Sequence, residues 1–173
     1  MTCEQIDSAN WRLSFSEPEA GFVINILARL ARHYQEDPER MPPALRRYWE
    51  GSISAGKETR SEDLRESQEM LAESRAELRS ERLALAESWI REFEIAEDRH
   101  PWRVEVSTAE RDEFVAMLND RRLTLALEMG ISDADMETDP SRISDDARRS
   151  AILEIDVLGH FILVTLGPQI YRP

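Results

Sequence analysis

One cysteine in 173 residues, Cys3, excludes a disulfide framework and fits a reducing, cytoplasmic setting. Histidine is scarce as well: His33, His100 and His160 stand singly in separate stretches. No histidine pair has zinc spacing and no Cys/His cluster exists, so neither a metal nor a cofactor is expected. A glycine-rich phosphate loop and a nucleophile elbow are missing too, and no catalytic residue can be assigned from a motif. The first ten residues are polar and lack the apolar core of a signal peptide. The most apolar run, 152–166, is interrupted by Glu154, Asp156 and His160 and reads as too short to span a bilayer. Positive charge is also short, with 22 Lys and Arg against 35 Asp and Glu and a net charge of −13. Such a chain repels phosphate backbones, and its arginine pairs at 46–47, 121–122 and 148–149 are isolated. Nucleic acid and membrane are therefore not the expected partners.

What is present is organised around 102–131. Trp102, Val104 and Val106 alternate with Arg103 and Glu105, the period of a half-buried strand. Ser107 and Glu110 then form a capping box for a helix that should run through Met129 and stop at Gly130. Phe114, Leu118, Leu125 and Met129 share one side of that helix, with Leu123 and Leu127 roughly opposite. Its middle is polar, Asn119-Asp120-Arg121-Arg122, and the two arginines flank the apolar stripe.

An earlier stretch, 11–34, has the same layout. Trp11, Leu13 and Phe15 alternate as a strand, and Ser16 and Glu19 form a second capping box. Phe22, Val23, Ile26, Leu27, Leu30 and Tyr34 give the following helix one apolar face. The simplest partner for each lone strand is the other, which predicts a two-stranded ribbon beside a helical domain.

The remaining elements read as helices. Pro42 and Pro43 open a short one that Gly51 closes, and 51–59 is a loop. No proline or glycine interrupts 61–97, which predicts one long helix of about 50 Å, part of it free to project. Leu64, Leu71, Leu78 and Leu85 fall seven apart on it. A coiled coil needs a second apolar position per heptad, and Gln68, Arg75 and Arg82 do not supply one. The row reads first as one helix leaning on its own domain, and second as an interaction or dimer surface. The segment 132–143, with Asp133, Asp135, Glu137 and Asp139, reads as a solvated acidic loop. It lacks the glycine and terminal glutamate of a calcium loop. Asp145 and Asp146 start the last helix, apolar nearly all round from 151 to 166.

One polar cluster is expected if the two core helices pack together. Asp156 and His160, one turn apart, would meet Asn119, Arg121 and Arg122. The structural reading is a buried network in which Asp156 neutralises an arginine. The functional alternative is a catalytic acid–base site.

The stretch Leu118-Asn119-Asp120-Arg121-Arg122-Leu123-Thr124-Leu125, followed by Met129-Gly130-Ile131, resembles the signature of an uncharacterised, mostly actinobacterial family. So do the strand and helix start at 13–19, the segment Asp63-Leu64-Arg65 and the apolar last helix. The long segment 61–97 departs from that pattern. The resemblance carries no catalytic residues. It implies a gene often found beside that of the Clp adaptor ClpS, hence a link to regulated proteolysis, and a transcriptional-regulator label for some members.

The expectation is a single domain over 1–173, mainly α, with about five helices and a small two-stranded ribbon. It would work as a non-enzymatic interaction or regulatory module, with a protein partner or a second copy. A small enzyme and a transcriptional regulator are the alternatives.

Overall fold

The computed structural model describes residues 1–51, 61–95 and 102–170. Its fold is mainly helical, with a small antiparallel sheet at one end. The strands are β1 (Thr2–Gln5), β2 (Asn10–Phe15) and β3 (Trp102–Ser107). The helices are α1 (Glu17–Gln35), α2 (Pro43–Glu50), α3 (Ser61–Ile95), α4 (Thr108–Met129), α5 (Asp133–Met136) and α6 (Asp146–Ile170).

The expected pairing of the two Trp-Arg strands is present. β2 and β3 run antiparallel, with Trp11 opposite Val106, Leu13 opposite Val104 and Phe15 opposite Trp102. All six of these side chains are buried, so one face of the ribbon is core, as the alternation requires. The ribbon has a third strand, however. β1 pairs with the other edge of β2 and sets Cys3 opposite Leu13. Its sequence, Thr-Cys-Glu-Gln, has no apolar alternation. A turn enforces its pairing instead: Asp7 Oδ1 accepts from the backbone amides of Ala9 (2.8 Å) and Asn10 (2.9 Å). Cys3 is half-buried in that strand and not in a loose terminus, and burial raises its thiol above the ordinary value.

Both capping boxes form. Glu19 Oε2 accepts from the Ser16 amide and Glu110 Oε2 from the Ser107 amide, each at 2.8 Å. Each strand therefore passes straight into the helix that covers the sheet. Gly130 sits in the left-handed region (φ +59), where a side chain costs energy, and ends α4 as expected.

The helices pack as two pairs, α1 against α3 and α4 against α6, with α2 bridging α3 and α4. Aromatic side chains join the pairs beneath the sheet. Phe15 meets Phe93 edge-on at 5.5 Å and Phe114 at 6.5 Å, and Trp89 lies 4.7 Å from Phe114. The end of α3 is therefore its core end, as Trp89 and Phe93 suggested.

Leu64, Leu71, Leu78 and Leu85 are all half-buried. Leu71 lies on Gly51, the residue that closes α2, and Leu85 packs against the core. The acidic segment is more ordered than a solvated loop. It holds the single-turn helix α5, in which Asp135 Oδ2 accepts from the Ser132 amide (2.8 Å) and from Arg148 (2.7 Å). The last helix also outruns its apolar stretch. Asp146–Gly167 is 22 residues, long and apolar enough by length and composition to cross a membrane, and only 33% of its apolar window is buried.

Candidate functional site

Four consecutive residues of α4, Asn119 to Arg122, meet four different environments, because each step round an α-helix turns about 100°. They were expected to form one network with Asp156 and His160. The structure distributes them instead.

Asp120 faces the junction of α1, α2 and α3 and is 5% exposed. Its Oδ2 accepts from the Tyr34 hydroxyl at 2.8 Å and from Arg82 Nη1 at 2.7 Å. Its Oδ1 accepts from the Tyr48 hydroxyl at 2.6 Å. Arg82 also donates from Nε to Glu113 at 2.9 Å. One carboxylate thus collects donors from three other helices. Burial first, and the Asp120 charge after it, raise both tyrosine hydroxyls above their ordinary value of 10.0. This is a buried polar network, and the cluster expected from the sequence contains none of its members. A signal was available: Asp120 shares a helix face with Met117 and Thr124, both fully buried.

Arg121 turns to the α1 and α6 side and is 3% exposed. A carboxylate of α6 does neutralise it, as expected, but the residue is Glu154, at 2.7 Å, and not Asp156. Glu128 lies 3.5 Å from Arg121 and accepts from His33 Nε2 at 3.1 Å. The His33 bond, opposed by burial and aided by the Arg121 charge, holds the Glu128 carboxyl below its ordinary range. Arg121, Glu128 and His33 line a cleft of about 480 Å³, which Asn25, Arg29, Arg32 and Glu36 of α1 complete.

Arg122 points to α6, where its guanidinium lies over Gly159. It has no hydrogen bond and no ion pair among the described residues, and its Nε is fully shielded without a partner. It lines a crevice of about 170 Å³ between α4, α6 and α5.

Asn119, Asp156 and His160 are exposed. Asp156 and His160 share the outer face of α6, and neither lines the crevice that Arg122 and Asn119 border. The expected cluster therefore does not assemble, and the acid–base alternative loses the enclosure it needed. The error was one of helix phase: Glu154 and not Asp156 lies on the side of α6 that faces Arg121. Among the described residues no group of three His, Cys, Asp or Glu side chains is placed to hold a metal ion.

The exposed apolar side chains have a clear distribution. Among the described residues seven large ones are exposed, and five of them, Leu123, Leu127, Leu153, Val157 and Leu163, belong to α4 and α6.

These features define a small helical domain capped by a three-stranded sheet, with polar groups buried between its helices and an uncovered apolar face on its last helix. Residues 3–162 match the family model described as a domain of unknown function, DUF2017, and the chain belongs to that family. No curated protein and no solved structure matches it.

Proposed function

We propose that this protein is a non-catalytic interaction module of regulatory type, which presents the outer face of α6 to another helix. The partner that this face fits is a second copy of the chain. The observation that carries the reading is the exposure of Leu153 (49%), Val157 (40%) and Leu163 (62%) along one side of a helix whose opposite side is core.

The polar residues on that face argue for self-pairing. Asp156 and His160 sit among the exposed apolar groups, one turn apart. In an antiparallel pair with a two-fold axis at the level of Leu158, Asp156 faces His160 of the second copy, and Leu153 faces its Leu163. Each polar group then gains a complementary neighbour twice over, the signature of an isologous contact. A face with charges of one sign would repel itself.

The leucine row of α3 is the weaker candidate surface, because its side chains are already half-covered by their own domain, whereas those of α6 are free. Links to Clp-type proteolysis or to transcription are not part of this reading, since no residue described above carries them.

One helix pair is small beside the roughly 1,200–2,000 Å² of stable complexes, so association around the micromolar range is expected. Absolute mass by light scattering tests it, on wild type and on a variant with Leu153→Lys and Leu163→Lys. A wild-type dimer and a folded monomeric variant are expected. A wild-type monomer at about 100 μM would contradict self-pairing. If that monomer co-sedimented with lipid vesicles, the face would be assigned to a membrane surface instead.

A further inference from the structure

We infer that the crevice between α4, α6 and α5 is a binding site for a small branched aliphatic carboxylate, with Arg122 as its anchor. This goes beyond the self-pairing of α6 and does not depend on it.

The argument starts from charge. The chain has 35 acidic residues against 22 basic ones, so an arginine has no shortage of carboxylates to pair with. The arginines around the crevice are paired. Arg121 donates to Glu154 and Arg148 to Asp135, each at 2.7 Å. Arg122, half-buried between two helices, has no partner. Its Nε is out of reach of solvent and without an acceptor, and its terminal nitrogens make no hydrogen bond to the described residues. A guanidinium held in this way is short of an acceptor, and a ligand carboxylate fits its planar fork with two parallel hydrogen bonds.

The walls supply the rest of the specificity. Beside Arg122 stand Leu123, Ala126, Ile131, Met136 and Ile155, so a ligand that reaches the guanidinium lays an apolar chain on an apolar surface. At about 170 Å³ the space is close to the roughly 150 Å³ of apolar cavities that take a benzene-sized guest. A chain with a single branch is the right bulk; a nucleotide or a sugar phosphate is not. A Cβ at Gly159 would lie 3.9 Å from the guanidinium, an ordinary contact, so Arg122 packs closely on the α6 backbone there.

Two sources share this chemistry, a free aliphatic acid and an apolar α-amino acid. Asp133 at the rim is exposed and its carboxylate has no hydrogen bond to the described residues, so it is free to receive an ammonium group.

The test is a titration of the full chain with 4-methylpentanoate, leucine and the neutral amide 4-methylpentanamide. The readout is the NMR methyl signals of Met136, Ile131 and Ile155. Saturable shifts are expected with the acid or with leucine by about 10 mM, and the amide should bind at least about tenfold more weakly. Arg122→Gln should abolish the shifts and leave the melting temperature unchanged, because Arg122 makes no bond that the fold requires. Arg122→Lys, with charge but no fork, should retain only part of the affinity. If leucine binds tighter than the acid and Asp133→Asn removes the difference, the ligand is an amino acid. If the two bind equally, it is a simple acid. Equal binding of the amide, undiminished binding to Arg122→Gln, or no shift with any ligand on wild type would overturn the inference. The amide comparison uses wild-type protein alone and holds whether or not a variant folds.

Discussion

Asp120 ties α4 to three other helices, since its two oxygens serve Tyr34, Tyr48 and Arg82 at once. Asp120→Ala would leave two hydroxyls and one Arg82 donor without their acceptor, with Glu113 still pairing the cation, and should cost about 2–4 kcal/mol in denaturant unfolding. Asp156→Ala should cost no more than about 0.5 kcal/mol, because Asp156 is exposed and has no intramolecular partner. The sequence alone pointed the other way. A helical wheel shows that a face carries charge, but not which neighbouring helix lies across from it. Titration offers a second check. Tyr34 and Tyr48 have raised hydroxyl values in the fold, whereas a tyrosine in the unfolded chain ionises near 10. The stability from their neutral forms is therefore complete below about pH 10 and is lost as pH rises beyond it. Absorbance at alkaline pH should show no more than one of the three tyrosines ionising near 10 while the fold persists; two or three doing so in folded protein would contradict this.

At the scale of elements, local chemistry was legible and long-range pairing less so. The two strand-to-helix units could be read because alternation, a capping serine and a glutamate three residues on are all local signals. β1 could not, because what places Thr2–Gln5 in the sheet is a turn at Asp7 and an open edge of β2. α5 was hidden for a similar reason: its anchor, Arg148, is on another helix. That anchor makes the turn pH-sensitive. The bonds from the Ser132 hydroxyl and amide, and then from Arg148, hold the Asp135 carboxyl at about 2. An unfolded aspartate titrates near 3.9, so the contribution of Asp135 is full above about pH 4 and is lost as pH falls through about 2. NMR titration of its carboxyl carbon should give that low midpoint; a midpoint near 4 would mean that the Ser132 and Arg148 bonds do not persist in solution. For α3, Leu71→Lys with Leu78→Lys should lower the melting temperature and leave the mass of any assembly unchanged. A variant that lost its dimer without losing stability would move the interface to α3.

For the whole molecule, the sequence settled the balance of helix over strand but not where the apolar surface goes. A helix that is apolar all round reads as core, yet α6 spends only one side on the core. The reason is geometric. α4 and the sheet edge reach α6 from one side, and no other described element covers Leu153, Val157 and Leu163. Pairing two copies of charge −13 is opposed by their mutual repulsion, so salt should tighten the dimer until screening is complete, within the first few tenths of a molar. The most direct test of self-pairing through α6 is a cross-link made in a Cys3→Ser background. Val157→Cys places a thiol on the face, one residue from the level of the two-fold axis, and Met70→Cys places one on α3, at a site that is 65% exposed. On mild oxidation the first should be captured as a covalent dimer and the second should remain monomeric. Cross-linking at Met70 but not at Val157, or at neither, would contradict the account.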